Sequence, residues 1–272
     1  MPELPEVQTV IATLMRQIKG KTITDVHVIT PSIIQQDVET FKHALLQQTI
    51  IDIKRRGKYI ILILEKGFCV MHLRMEGRFF IETTSAVKKH VHVVFEFHDG
   101  TYLHYHDTRK FGHMVYLVDE TQLHDYLSHL GIEFDDPQFS GDYLYELAKH
   151  RKRSLKSFLL AQEFIAGIGN IYADEICFYA RLHPDVACHK ISRSQWALIA
   201  QGVVEILEKA IASGGTTIYS YINSEGISGR FQLSLQVHLR QGEPCYVCQT
   251  PIIKTVVVNR GTYLCPVCQR KR

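Results

Sequence analysis

Residues 49–65, TIIDIKRRGKYIILILE, and 68–82, FCVMHLRMEGRFFIE, are crowded with β-branched and aromatic residues. Side chains of this kind suit a pleated, half-buried surface. The same chemistry continues outward in KTITDVHVIT (21–30), HVHVVFEFHDGTYLHYHD (90–107) and GHMVYLV (112–118). Asp99-Gly100, set between two such runs, is a hairpin signal. From about residue 21 to 118 the chain therefore reads as a β-sandwich or barrel, with a short helix intervening over Val38–Leu46.

Before this stretch lies one amphipathic helix. Pro5 suits a first helical turn; Val7, Val10, Ile11, Leu14, Met15 and Ile18 then recur at helical spacing, and Gly20 ends the run. After it, DDPQFSG (135–141) has the composition of a linker. Helical patterns follow near 142–149, 154–164, 171–180 and 194–213, and Gly214-Gly215 stops the last. The chain ends in a short segment that reads as two hairpins and carries four cysteines.

The 272 residues suffice for one large or two modest domains with real cores. An apolar fraction of 46% and a charged fraction of 22% are those of an ordinary globular protein. No apolar run reaches the roughly 18 residues of a membrane span. MPELPEVQTV carries no secretory signal, so a cytoplasmic location and no membrane partner are expected. The net charge of +3 divides unevenly. About +7 falls on residues 151–272 and about −4 on residues 1–150, a split that suggests a polyanion partner. In the last segment Arg240, Lys254, Arg260, Arg270, Lys271 and Arg272 face only Glu243. Such a basic surface can neutralise phosphates and release their counterions.

Cys245-x2-Cys248 and Cys265-x2-Cys268 stand sixteen residues apart, which is a strong zinc signal. Four thiolates complete a tetrahedron and leave no position for water, so one structural Zn2+ and no organic cofactor are expected. A segment of this size cannot bury enough core without such a staple. Cys69, Cys177 and Cys188 lie among apolar residues and read as buried free thiols. Between the cysteine pairs, Asn259-Arg260-Gly261 reads as a hairpin tip with Arg260 projecting, placed to meet a phosphate.

Four motifs now agree: MPELPEV (1–7), HLRMEGRF (72–79) followed by DTRKFG (107–112), AGIGNIYADE (166–175), and the CxxC–CxxC finger. With them the chain resembles the formamidopyrimidine-DNA glycosylase family along essentially its whole length. The resemblance implies an α+β multidomain fold. It comprises an N-terminal β-sandwich with flanking helices over 1–134, a linker over 135–141, a helix–two-turn–helix domain over 142–235 and a zinc finger over 236–272. It implies a bifunctional glycosylase and abasic-site lyase that excises oxidised purines, acting as a monomer on damaged double-stranded DNA bound between its halves.

Family resemblance makes Pro2 the nucleophile. Once Met1 is removed, Pro2 carries a secondary amine with a pKa of roughly 8, partly neutral near pH 7, suited to Schiff-base chemistry. Glu3 takes the general-acid role, which requires a held proton. Glu6, one helical turn on, orients the pair, although acidic residues also suit a helix N-terminus for the sake of its dipole alone. Lys58 anchors a phosphate near the lesion. His72, Asn170 and Arg260 match phosphate-contacting positions, Lys156 matches a family lysine, and Tyr172 follows Asn170 to pack or to touch the backbone.

Met75, Arg109 and Phe111 match the residues that fill the hole left by a flipped base. Met is flexible enough to wedge into a stack, and the planar donors of Arg suit the orphaned cytosine edge. Residues 216–232, TTIYSYINSEGISGRFQ, match the loop that closes over the base, so Thr216, Tyr219, Tyr221, Ser228 and, from the other half, Glu76 are lesion-pocket candidates. Three departures stand out. Gln8 replaces a common acid, Val258-Asn259 a common Ala-Gly, and His238-Leu239 a common Tyr-Gly. Two alternatives remain: the endonuclease VIII type that prefers oxidised pyrimidines, and a lesion-binding protein without chemistry. ELPE at the start and the Met75, Arg109 and Phe111 set favour the purine enzyme over the first. Pro2, Glu3 and Lys58 disfavour the second.

Overall fold

The computed structural model describes residues 2–216 and 230–271, and they form two compact units. One holds the chain up to Ser128 together with Gly214, Gly215 and Thr216; the other holds His129–Ser213 and resumes at Arg230.

The first unit opens with α1 (Leu4–Ile18), whose Val7, Val10, Ile11, Leu14 and Ile18 are buried. Pro5 sits in the first turn, where a missing N–H costs no helical hydrogen bond. β1 (Ile23–Val28) follows, then α2 (Val38–Leu45), started by Asp37, whose carboxylate accepts the Thr40 amide at 2.8 Å. β2 (Ile50–Arg56), β3 (Tyr59–Leu64), β4 (Phe68–His72), β5 (Arg78–Glu82), β6 (Val91–Phe97), β7 (Tyr102–His106) and β8 (His113–Leu117) complete it. They pair antiparallel into two four-stranded sheets, ordered β1-β6-β7-β5 and β2-β3-β4-β8.

A single core takes Ile53, Ile60, Leu62 and Met71 from one sheet, Phe79, Val93, Phe95 and Leu103 from the other, and the apolar stripe of α1. This is the sandwich expected from the strand chemistry, and Asp99-Gly100 makes the β6–β7 turn. α3 (Glu120–Leu127) was not legible in the sequence. Only its Leu127 is buried, so it carries almost no apolar periodicity, and its start depends on the Asp119 cap.

The second unit contains α4 (Gly141–Ala148), α5 (Leu155–Leu160), α6 (Asn170–Tyr179) and α7 (Arg193–Ala212). Ser140, Ser154 and Ser192 cap three of them by accepting amide hydrogen bonds. Phe158 stacks on Phe164 at 4.4 Å and meets Trp196 edge-on at 5.1 Å in their core. The proposed boundary at 135–141 falls later than the division between units. Gly131 and Ile132 already donate to Gln162 and Phe164, and Ala166 donates back to Ile132. Loop-like composition therefore trails the point at which backbone pairing changes partner.

The finger holds a hairpin, β9 (Ile253–Val257) and β10 (Arg260–Leu264), and a knuckle closed by one bridge between Pro244 and Pro251. Phe178 of α6 packs with Val237, Ile252 and Tyr263 between the cysteines. Among the described residues, no helix is long and apolar enough to cross a membrane.

Candidate active site

Pro2 is buried just ahead of α1, and Glu3 and Glu6 are buried beside it. Glu6 ties two segments together. Its Oε2 accepts the Glu3 amide at 2.9 Å, while Oε1 accepts the Thr216 amide at 2.7 Å and the Thr216 hydroxyl at 3.0 Å. Gly215 (φ +73°) is required here, since a Cβ would stand 2.8 Å from Glu6 Oε1. Lys58 occupies the two-residue turn between β2 and β3, where Arg56 pairs with Tyr59, and is itself buried. Arg55 donates to Gln8 Oε1 at 3.1 Å, so this hairpin end lies at the same end of the first unit as the start of α1. The contact is a charge-assisted hydrogen bond.

His72 closes β4. Its Nδ1 accepts the Arg74 amide at 2.9 Å, which leaves Nε2 as the N–H donor, the polarity a phosphate contact needs. It stacks on His113 at 5.5 Å and meets Tyr59 edge-on at 4.7 Å. Burial, with the Arg74 guanidinium, pushes His113 down to about 4, so the stacked partner is neutral.

Met75, Arg109 and Phe111 come together on two neighbouring loops. Thr108 Oγ1 donates to Glu76, joining the loops directly. The second loop hangs from Asp107, which is fully buried. Its Oδ1 accepts the Arg109 amide at 2.9 Å, and its Oδ2 accepts the amides of Phe111 at 3.0 Å and Gly112 at 2.9 Å and the Tyr105 hydroxyl at 3.2 Å. Gly112 and Gly77 make room for that hydroxyl: a Cβ would lie 1.7 Å from it at Gly112 and 2.6 Å at Gly77. Thus held, the loop presents Phe111, 53% exposed, with the Arg109 guanidinium 4.7 Å from its ring.

At the finger tip, Val258 (φ +51°) and Asn259 (φ +56°) form the turn, and Arg260 opens β10 opposite Val257. The tip is therefore one residue earlier than Asn259-Arg260-Gly261, because a two-residue turn of this hand requires positive φ at both central positions. Arg260 remains exposed, as expected. Asn170, the first residue of α6, donates from Nδ2 to the Gly261 carbonyl at 3.1 Å.

Two of the motif-matched residues, Lys156 and Tyr172, face inward. Lys156 is fully buried, and all three of its protons are used internally: Asp174 Oδ1 at 2.6 Å, Thr262 Oγ1 at 2.8 Å and the Gly261 carbonyl at 3.2 Å. Tyr172 is fully buried too and packs on Phe231 at 5.8 Å. Both side chains are engaged within the second unit. Thr216 is engaged by Glu6 through its amide and its hydroxyl; Tyr219, Tyr221 and Ser228 lie outside the described residues. Asp107 and Asp174 are not among the candidates read from sequence, and His238 stands there only as a departure. DTRKFG did carry a signal for the first, an Asp followed by amides it can accept. The other two are joined only by the fold.

The four sulfurs of Cys245, Cys248, Cys265 and Cys268 lie within 4.8 Å of one another. Cys245 and Cys268 are 3.9 Å apart and Cys248 and Cys265 3.4 Å, close to the roughly 3.8 Å edge of a tetrahedron with 2.3 Å metal–sulfur bonds. Amides of Val247 and Cys268 point at the Cys245 and Cys265 sulfurs, each at 3.4 Å, and stabilise thiolates. The donor set fits one structural zinc.

Comparison with known proteins agrees along the chain. Residues 1–114 match the family described as formamidopyrimidine-DNA glycosylase N-terminal domain, residues 130–221 the formamidopyrimidine-DNA glycosylase H2TH domain, and residues 242–270 the zinc finger found in FPG and IleRS. The formamidopyrimidine-DNA glycosylase of Bacillus licheniformis is 44% identical, with 100% of both chains covered. That of Geobacillus kaustophilus is 44% identical over 99% of this chain and 100% of its own. Among solved structures, the Lactococcus lactis Fpg in complex with DNA containing an abasic site superposes with a TM-score of 0.93 at 37% identity, covering 99% of this chain and 100% of that one. The same enzyme in complex with DNA containing N7-benzyl-Fapy-dG gives the same values.

Proposed function

The chain belongs to the formamidopyrimidine-DNA glycosylase family, and on that footing we propose that Pro2 is the nucleophile with which it removes oxidised purines from duplex DNA. The observation that supports this most directly is the buried Pro2–Glu3–Glu6 head of α1, linked through Glu6 to Thr216. After loss of Met1, the Pro2 nitrogen attacks C1′ of the damaged nucleotide. The N–C1′ bond forms as the base leaves with the glycosidic electron pair, taking up the proton that the Pro2 nitrogen gives up; the sugar ring then opens, Glu3 supplying the proton to O4′ while the nitrogen lone pair closes the C1′ iminium. The resulting iminium acidifies C2′–H. Loss of that proton expels the 3′ phosphate, and a second elimination expels the 5′ phosphate.

The remaining roles are electrostatic and steric. Lys58 and His72 hold phosphates beside the lesion, and Arg260 and Asn170 grip the backbone from the second unit. Phe111 and Met75 replace the stacking lost when the base flips, an event that costs a few kcal/mol, and Arg109 reads the orphaned partner base. The enzyme works as a single chain on DNA in the cytosol.

Borohydride reduction during turnover of a duplex with one 8-oxoguanine:cytosine pair tests the nucleophile. A covalent protein–DNA adduct is expected with the processed protein and none with Pro2→Gly. An adduct of equal yield in the variant would transfer the role to another amine.

A further inference from the structure

The tip of the finger is fixed by a buried charge cluster, and we propose that Lys156, Asp174 and His238 are positioning residues for the phosphate grip of Arg260 and Asn170. The proposal rests on the reading of those two residues as phosphate ligands. Asp174 and Lys156 are both fully buried, and Asp174 is the hub. Its Oδ1 accepts from Lys156, while its Oδ2 accepts from His238 Nδ1 at 2.7 Å and the Tyr263 amide at 3.2 Å. The His238 ring meets Tyr263 edge-on at 4.9 Å. Glu175, next to the hub, accepts the amides of Gln236, Val237 and His238 between 2.8 and 3.0 Å, so the segment bearing His238 is itself pinned to α6.

From this hub, hydrogen bonds reach the backbone on the C-terminal side of Arg260. Lys156 donates to the Gly261 carbonyl and to Thr262 Oγ1, and Thr262 Oγ1 donates onward to the carbonyl of Arg260 itself at 2.9 Å. Asn170 Nδ2 shares the Gly261 carbonyl. Its Oδ1 is buried without a partner, and a flipped amide would set two carbonyl-type oxygens against each other. The orientation is therefore fixed, with the second Nδ2 proton left for a ligand. Arg260 has a long flexible side chain, exposed at the start of β10 beside the turn. What makes it a precise ligand is a main chain clamped at two successive carbonyls by buried donors. His238 forms the outer arm of the clamp.

A double-mutant cycle between Lys156→Met and Arg260→Ala separates positioning from general support. The readout is fluorescence anisotropy of a duplex carrying a tetrahydrofuran abasic analogue, titrated across a series of KCl concentrations. Lys156→Met is expected to weaken binding about tenfold and to lower the salt slope by about one, as loss of a phosphate contact does. In the Arg260→Ala background the same change should cost less than about twofold. Zinc content should stay near that of the parent. If Lys156→Met fails to fold, His238→Phe, which keeps the ring against Tyr263, enters the same cycle with a smaller shift of the same sign. Equal losses in both backgrounds would overturn the positioning role alone. An Arg260→Ala variant with unchanged affinity and slope would overturn the grip itself and the proposal with it.

Discussion

The Asp107 loop in the first unit and the Arg260 tip in the second solve one problem with opposite charges. Each carries an arginine on a short piece of backbone fixed from below, Arg109 in a loop and Arg260 at the start of β10. The first hangs its main chain from a buried anion: three amides and one hydroxyl converge on Asp107. The second hangs its main chain from a buried cation: Lys156 holds one carbonyl directly and a second through Thr262. A carboxylate surrounded by amide N–H groups is well solvated by them and needs no counterion. A buried ammonium offered one carbonyl and one hydroxyl is left short, so the fold supplies Asp174, and with it His238. The anionic clamp is local in sequence, whereas the cationic clamp draws on α5, α6, the approach to the finger and the finger itself.

One substitution made in both places probes this difference most strongly. Asp174→Asn strips the countercharge from a fully buried lysine and should destabilise the second unit by about 3–5 kcal/mol, read by thermal or urea unfolding. Asp107→Asn leaves no orphaned charge. It turns one accepting oxygen into a donor facing amides, at a cost of about 1–3 kcal/mol to the first unit. It should also weaken binding to abasic duplex while sparing undamaged duplex, because the wedge loop is what it loosens. Equal destabilisation at the two sites would mean that the amides around Asp107 do not compensate its charge, and the contrast would fail.

The two clamps also differ in how much of them can be read from the chain. The sandwich and α1 were legible, because apolar residues recur there at strand and helix spacing and burial enforces the pattern. The zinc ligands were legible because four sulfurs in paired knuckles leave few other uses. Pro2, Glu3 and Lys58 were found through motif resemblance, and the fold brings them to one end of the first unit. The inward direction of Lys156 and Tyr172 is not legible in the motif, because a motif match says which residues matter and not which way they face. Their burial is a tertiary fact, set by Asp174 across 18 positions and by Phe231 much further along. The turn at Val258-Asn259 was misplaced by one residue because glycine at 261 drew the tip toward itself. In the fold Gly261 lies in a strand, opposite Val256.

Strain offers the finest comparison. Both loops hold residues in the left-handed region, Lys110 (φ +57°) in the first and Val258 (φ +51°) with Asn259 in the second. An unbranched residue or Asn tolerates this conformation better than a β-branched one, for which a left-handed backbone costs roughly 1–2 kcal/mol. Val258 is 55% exposed, so little packing compensates it. Val258→Gly removes the strain but gives the unfolded chain more freedom to lose, which returns roughly 0.5–1 kcal/mol. The net gain expected for the finger is about 0.5–1 kcal/mol, seen as slower amide exchange along β9 and β10. Lys110→Gly should bring no comparable gain to the first unit. A tip that becomes less protected with glycine would show that the Val258 side chain contributes packing that offsets its backbone cost, and that the cationic clamp closes on a relaxed turn.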